Sequence, residues 1–135
     1  MTEPARPELR VGLIVTRDAY ERPAEEAVGV VAHVAELTAT IGNAGDAHAG
    51  ETVTRFWVRG LDGDDIDREL RAVHTPPLPP GEEVEVTALW DVRSRTGRYA
   101  ITVTADAFRQ IDQATRDHNA ATIHVFVQGT RVEPV

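Results

Sequence analysis

The side chains that could perform chemistry are few in this chain, and most of the usual combinations are missing. There is no Cys, which excludes disulfide bonds, thiolate nucleophiles and Cys-based zinc sites. All 14 basic residues are Arg, so the chain has no Lys for Schiff-base formation or for a phosphate-binding P-loop. Ser94 is the only Ser, and no Gly-x-Ser-x-Gly pattern surrounds it. The sequence therefore predicts no catalytic residue and a protein that is not an enzyme.

Metal-binding patterns are equally weak. The two His residues that lie closest in sequence, His118 and His124, do not have the spacing of a helical ligand pair. In the acidic stretch Asp62–Asp67, Ile66 and Asp67 stand where a calcium-binding EF-hand loop needs an oxygen ligand and a Gly. We predict no metal site and no cofactor, with weak calcium binding near Asp62–Asp67 as the alternative.

A group of Glu residues could suggest the paired carboxylates of a glycosidase. Glu83 and Glu85, however, fall on the same outward face of a strand, and Glu82 precedes them in a turn. No cleft is indicated around them. A solvated face that resists aggregation is the better interpretation.

The charge of the chain excludes further classes of partner. The net charge is −8 and the pI is near 5.0, which argues against binding to nucleic acid or to anionic membranes. No run approaches the roughly 18 apolar residues of a membrane span, and no signal peptide is visible at the start. We predict neither nucleic-acid binding nor membrane insertion, and the residues do not indicate a cellular location.

The clearest structural element is the stretch Leu78–Asp106. After a Pro-Pro-Gly turn, apolar residues alternate with polar ones in two successive runs, which is the period of a β-strand with one buried face. Because a short connection joins the two runs, we predict a half-buried β-hairpin. Its inward residues are Val84, Val86, Ala88, Trp90, Tyr99, Ile101, Val103 and Ala105.

The rest of the chain shows the same kind of short strand between turn signals. About seven strands without a strong helix predict an all-β, immunoglobulin-like antiparallel β-sandwich. We expect a polar connection over Asp18–Pro23, and one helical turn before a strand that is bulged near Val34. The other predicted strands are Leu9–Thr16, Val30–Ile41, Glu51–Arg59, a charged edge strand Ile66–His74, and Ala120–Gln128.

The length fits one domain. We predict a flexible lead-in over residues 1–8, a single sandwich domain over residues 9–128 and a C-terminal tail over residues 129–135.

One face of the predicted sandwich is the candidate site. Three strands (Glu51–Arg59, Gly97–Asp106 and Ala120–Gln128) would be neighbours in one sheet, with small residues forming the floor of its outer face. Trp, Phe and Arg are enriched in binding hot spots. Alternatively, Arg stems cover the Trp ring by cation–π contact and nothing binds. The predicted partner-binding residues are Arg55, Trp57, Arg59, His124 and Phe126.

Four patches of the sequence stand out together. The first is a strand that ends in an Asn-x-Gly turn (Thr38–Gly45), and the second is an aromatic strand that runs into a hairpin Gly (Arg55–Gly60). The third is Leu78–Tyr99, and the fourth is Asn119 with the alternating strand after it. In their order and spacing these patches resemble the CARDB domain, the cell-adhesion-related domain found in bacteria, and the match covers most of Val34–Val127.

Two segments depart from the family pattern. Residues 23–35 form a longer first connection than usual, and Gln113–Arg116 replaces an acidic run near the position where His118 takes the place of an Asn. The resemblance implies a non-catalytic immunoglobulin-like module that is usually extracellular or on the cell surface.

Two functions from different classes follow. The favoured hypothesis is a structural or adhesion module that binds a protein partner or itself, within a larger bacterial or phage assembly. The alternative is a carbohydrate-binding module that uses Trp57 as a stacking platform, although glycan sites usually contain several aromatic residues.

Overall fold

The computed structural model describes residues 4–135, which form an immunoglobulin-like β-sandwich. Nine strands are assigned within that range, and all paired strands are antiparallel. The strands are β1 (Leu9–Thr16), β2 (Tyr20–Pro23), β3 (Val31–Asn43), β4 (Thr52–Gly60), β5 (Asp67–Thr75), β6 (Glu83–Asp91), β7 (Thr96–Thr104), β8 (Ala120–Gln128) and β9 (Arg131–Pro134).

The strands form two sheets. In the four-stranded sheet, the long strand β3 pairs with β1, β2 and β6. The five-stranded sheet has the order β5-β4-β7-β8-β9. The charged strand predicted for an edge is indeed the edge strand β5, and β4, β7 and β8 are neighbours as expected. No helix in the described part of the chain has the length and apolar character needed to cross a membrane.

The core lies between the two sheets and follows the predicted alternation. On β3 the buried residues Leu37, Ala39 and Ile41 face inward, while the residues between them face solvent. The largest inward side chains form the centre, where the Trp90 and Tyr99 rings meet edge to face with centroids 5.2 Å apart. Such an arrangement suits the quadrupoles of two aromatic rings. Aliphatic and aromatic burial therefore holds together a domain that has no disulfide bond.

The predicted hairpin over Leu78–Asp106 is wrong. Both strands exist, but β6 pairs with β3 in one sheet, whereas β7 pairs with β4 and β8 in the other. The connection between them carries the chain across the sandwich, with Val92 fully buried and Ser94 in a left-handed conformation. Alternation identifies a strand and its buried face, but it does not identify the strand's partner.

Three local predictions need correction, two for the residues before β3 and one within β3. The expected polar connection Asp18–Pro23 contains the short strand β2, and residues 24–30 form turns instead of a helical turn, closed by a hydrogen bond from Ala24 N to Val30 O. β3 keeps a continuous register with β6 through Val34, so the bulge predicted there is absent. The irregularity lies instead in β1, between Val11 and Ile14.

The described residues of both predicted terminal segments make backbone hydrogen bonds to the rest of the domain. In the predicted tail, β9 pairs with β8 through a tight turn, so residues 131–134 belong to the five-stranded sheet. Of the predicted lead-in, residues 1–3 lie outside the described residues. Arg6 N donates to Asp46 Oδ1, and Glu8 N donates to Asn43 Oδ1. The described part of the lead-in is thus hydrogen-bonded to the last residue of β3 and to the loop that follows it.

Candidate functional site

The outer face of the five-stranded sheet presents the predicted partner-binding residues. On β4 the buried residues Phe56 and Val58 alternate with Arg55, Trp57 and Arg59, which point outward. This is the predicted orientation. It follows from the period of two, because the core requires the apolar residues on the inner face.

Strand register brings part of this set together across three strands. Trp57 lies opposite Thr102 on β7, and Thr102 lies opposite Thr122 on β8. The hydroxyl groups of the two Thr residues are 2.8 Å apart and hydrogen-bonded. In the next row, Ala100 separates Arg59 from His124. The result is a shallow concavity of about 340 Å³ lined by Trp57, Arg59, Asp67, Ala100, Thr102, Thr122 and His124.

Trp57 is held in place at the wall of this concavity. Its indole Nε1 donates to Asp67 Oδ1 on the neighbouring strand at 2.6 Å. The Arg55 guanidinium carbon lies 5.9 Å from the centroid of the Trp57 ring, a cation–π distance. The ring nevertheless stays partly exposed. Arg55 therefore covers part of the Trp57 ring, as the alternative interpretation expects, but another part of the ring remains accessible.

Arg55 lies beside the concavity and does not line it. Its Nε donates to Glu69 Oε1 at 2.8 Å, and its guanidinium carbon is 5.1 Å from the centroid of the Phe108 ring. Phe108, in the loop after β7, is 52% exposed. The outer face thus continues from Trp57 through Arg55 to a second aromatic ring.

Phe126 is also outside the concavity. It lies opposite Arg98 on β7 and Glu133 on β9, one row beyond His124. Its exposed fraction is 36%. The structure therefore gathers three of the five predicted residues (Trp57, Arg59 and His124) around one concavity and places Arg55 and Phe126 at its flanks.

Arg59 is exposed and forms no ion pair within residues 4–135, although Asp67 lies opposite it on β5 and lines the same concavity. Arg68 and Arg71 on β5 also have no ion pair within that range, whereas Arg55 pairs with Glu69 and Arg98 pairs with Asp62. The concavity therefore combines an exposed guanidinium, a carboxylate and a fixed aromatic ring.

The carboxylates of Asp62 and Asp64, in the acidic stretch considered for calcium binding, form hydrogen bonds that stabilise the fold. Asp62 accepts hydrogen bonds from the backbone N and the guanidinium of Arg98, and the latter is the main reason that the pKa of Asp62 is lowered. Burial acts to raise the pKa of Asp64, but hydrogen bonds from Tyr99 and Arg95 outweigh it and lower this pKa. These carboxylates already have partners, so they fasten the β4–β5 connection to β7.

Burial raises the pKa of the Tyr99 phenol to about 12, with a further contribution from its hydrogen bond to Asp64. The phenol is therefore a stable donor at neutral pH. Gly60 allows this connection to close, because a Cβ there would collide with the Asp64 backbone carbonyl.

A second acidic group lies at the other end of β7. The Asp106 side chain is fully buried and accepts from Arg116 Nη1 at 2.9 Å and from the backbone N of Gln110 at 2.7 Å. Arg116 also donates to the carbonyl of Ile111. Across the described residues, no three His, Cys, Asp or Glu side chains are grouped so that they could hold a metal ion.

Sequence reasoning missed two residues of the candidate site, Asp67 and Phe108. The register between β4 and β5 shifts between Phe56 and Trp57, and this irregularity sets the position of Asp67 opposite Arg59. A bulge of this kind has no clear signature in alternation alone. Phe108 follows β7 in a loop whose shape depends on the burial of Asp106.

The comparison with solved structures gives the fold independently. A crystal structure of the CARDB domain of the PF1109 protein from Pyrococcus furiosus, in complex with di-metal ions, is 22% identical with a TM-score of 0.68, covering 93% of this chain and 97% of that chain. A solution NMR structure of the same domain is 26% identical with a TM-score of 0.65, covering 90% and 95%.

A more distant likeness is to part of an enzyme. The β-glucosidase 3B from Thermotoga neapolitana is 15% identical with a TM-score of 0.57, and the match covers 86% of this chain but 15% of that chain. No curated protein sequence matches this chain closely enough to count as a relative.

The family model for CARDB matches residues 10–123, which is most of the chain. That range begins at the second residue of β1 and extends to the middle of β8, so it includes Trp57 and Arg59. CARDB domains are small β modules and not a known catalytic family. This chain belongs to the CARDB family.

Proposed function

We propose that this CARDB domain is a non-catalytic adhesion or structural module that docks a protein partner on the outer face of its five-stranded sheet. The observation that carries this proposal is the combination of Trp57, fixed by Asp67, and the unpaired Arg59 at one concavity. A rigid aromatic ring loses little conformational entropy when a partner covers it, and Trp and Arg supply much of the binding energy in known interfaces.

The shape of the face supports a protein partner. Ala100, Thr102 and Thr122 form a low floor, so the backbone of a bound segment could approach the sheet closely while side chains fit against Trp57. The exposed ring of Phe108, beyond Arg55, extends the apolar part of the face. Arg59 and His124 supply hydrogen-bond donors at the other side.

The similar proteins bear on this proposal in two ways. The Pyrococcus domain was solved with di-metal ions, whereas in the described part of this chain no three His, Cys, Asp or Glu side chains are grouped to hold a metal ion. The match to the β-glucosidase covers 15% of that enzyme, which is compatible with a docking module inside a larger protein.

The test is a binding comparison between Trp57→Ala and Leu89→Ala. Leu89 is 43% exposed on the other sheet, so its variant is a matched loss of an exposed apolar side chain. Proteins captured from the source cells would be purified, and their affinities measured by calorimetry. We expect Trp57→Ala to weaken binding at least about tenfold, which is the effect of losing about 1.4 kcal/mol, and Leu89→Ala to leave it unchanged.

Two results would overturn the proposal. One is a purified partner that binds wild type and Trp57→Ala equally. The other is glycan-array binding that Trp57→Ala abolishes while no protein partner depends on Trp57. The second result would establish the carbohydrate-binding alternative, in which the partly exposed indole stacks on a sugar ring.

A further inference from the structure

Arg59 at the Trp57 concavity is one of five Arg residues without an ion pair in the described part of the chain, and it is the one that lines this concavity. On the other sheet, Glu82, Glu83 and Glu85 are exposed and form no ion pair within the described part of the chain. We call these three residues the acidic corner.

The acidic corner and Arg59 lie at opposite ends of the sandwich. Glu82 is joined to Asn43 by a backbone hydrogen bond, and Leu78 pairs with Ala49, close to where β4 begins. Arg59 is near the far end of β4. At about 3.3 Å per residue the strand separates these ends by roughly 20 Å, and the two sheets lie about 10 Å apart. One copy therefore cannot bring its own acidic corner to its own Arg59.

The acidic corner has a shape that suits docking. It borders a concavity of about 310 Å³ whose floor contains Gly12, Gly42 and Gly81. The missing side chains leave room beside Glu82 and Glu83 for a side chain of another molecule. Glu85 lies further along the same exposed face, opposite Thr40.

We propose that the partner of the Trp57 face is a second copy of this chain, which inserts its acidic corner beside Arg59 and His124. This inference rests on the proposed function, because it names the occupant of the same docking face. A Glu carboxylate of the second copy pairs with the Arg59 guanidinium, and the stem of that Glu packs against Trp57. Charge-assisted hydrogen bonds of this kind are stronger than neutral ones.

The geometry makes this contact heterologous, since two different patches meet. A pair of copies keeps one free acidic corner and one free Trp57 face, so further copies add head to tail into a ring or an open row. Chains of this module would thus assemble without a separate linker protein.

The decisive experiment uses charge reversal and sedimentation velocity from micromolar to millimolar protein. We expect wild type to form concentration-dependent oligomers, and Arg59→Glu or Glu83→Arg alone to remain monomeric. An equimolar mixture of the two variants should oligomerise again, because the intact acidic corner of Arg59→Glu pairs with the intact Trp57 face of Glu83→Arg and the two reversed patches are complementary to each other. The double variant R59E/E83R restores a complementary pair and should oligomerise again.

A matched control is Arg71→Glu, which reverses another exposed Arg on the same sheet that has no ion pair in the described residues. We expect this variant to oligomerise like wild type. Circular dichroism would confirm that all variants fold, which their exposed positions favour.

The outcomes separate this inference from the proposed function. A wild-type chain that is monomeric at millimolar concentration would overturn self-docking, while a different partner that depends on Trp57 would keep the proposed function. Oligomers that tolerate both single reversals and Trp57→Ala would also overturn self-docking at this face. Oligomers lost in Arg59→Glu but not rescued by R59E/E83R would show that the acidic corner is not the occupant.

Discussion

Strand β7 has an acidic group held by Arg at each of its ends, and the two groups differ in burial. At the Thr96 end, Asp62 and Asp64 pair with Arg98 and Arg95 in partly exposed positions. At the other end, Asp106 is fully buried beneath Arg116. In the first group, several weak contacts hold the β4–β5 connection against β7. In the second group, one buried carboxylate holds the loop after β7.

The comparison explains why the two loops should respond differently to mutation. Water can replace a lost partner at an exposed carboxylate, so exposed ion pairs contribute little. A buried carboxylate that loses its cation keeps its charge in a poorly solvated position, which is strongly destabilising. The loop after β7 should therefore depend strongly on one ion pair, whereas no single ion pair should be essential to the β4–β5 connection.

The largest effect is expected for Arg116→Ala. Removing the guanidinium leaves Asp106 buried without its charged partner and frees the carbonyl of Ile111. We expect the free energy of unfolding to fall by about 3 kcal/mol, the order found when one partner of a buried pair is removed. Urea denaturation would measure it, with Arg98→Ala at the exposed end as the control that changes stability much less.

A second variant separates the charge from the packing. Asp106 has φ of 46°, a left-handed conformation that Asn also tolerates. In the background of Arg116→Ala, Asp106→Asn should therefore recover part of the lost stability, since the uncompensated charge is gone. Equal stabilities for Arg116→Ala and Arg98→Ala would contradict the comparison, because burial would then make no difference.

Tyr99→Phe should have an intermediate effect. The Tyr99 hydroxyl donates to Asp64 at 2.7 Å, while its ring packs against Trp90, and Phe keeps the ring. We expect the free energy of unfolding to fall by about 2 kcal/mol, within the range for a hydrogen bond to a charged group. Tyr20→Phe is the control, because Tyr20 is 43% exposed and its variant should match wild type. A Tyr99→Phe protein as stable as wild type would show that the hydroxyl contributes nothing.

The titration of Tyr99 tests the same contact without a change in the ring. Its pKa in the folded protein is about 12, against an ordinary value of 10.0. The unfolded chain therefore ionises first, and stability should fall as the pH rises from about 10 toward 12. Absorbance at alkaline pH in a Tyr20→Phe background should show the midpoint near 12, and Asp64→Asn should lower it. A midpoint that Asp64→Asn leaves unchanged would assign the whole shift to burial.

Much of this architecture can be predicted from local sequence patterns. Alternation predicted the bounds of β1 and β8 and the outward position of Trp57, because the core accepts only one face of each strand. It failed for the pairing of β6 and β7, since a short connection can either turn within a sheet or cross between sheets. Pairing depends on the whole sandwich, which no single segment encodes.

For the candidate site, the sequence likewise predicted the face on which the residues lie but not all of their contacts. The alternation of side chains along each strand predicted that Arg59 and His124 lie on the same face of the sheet as Trp57. The register between β4, β7 and β8 brings these residues around one concavity. The contact with Asp67 depends on a bulge between β4 and β5, and the position of Phe108 depends on the buried Asp106. Both are consequences of tertiary structure, so the sequence did not reveal them.

The smallest effect is expected at Asp62, the most exposed of the compared carboxylates. The Arg98 guanidinium lowers the pKa of Asp62 below its ordinary value of 3.8, so Asp62 stabilises the fold above that pH. This contribution is lost as the pH falls through the pKa of the folded protein. Asp62→Asn should therefore leave stability at neutral pH nearly unchanged and remove only a small part of the acid-induced loss. Carboxylate NMR titration would measure the pKa of Asp62 in wild type and in Arg98→Ala. We expect Arg98→Ala to raise the pKa of Asp62 toward 3.8. A large destabilisation by Asp62→Asn at neutral pH would mean that this exposed pair is as important as the buried one, and the contrast between the two ends of β7 would fail.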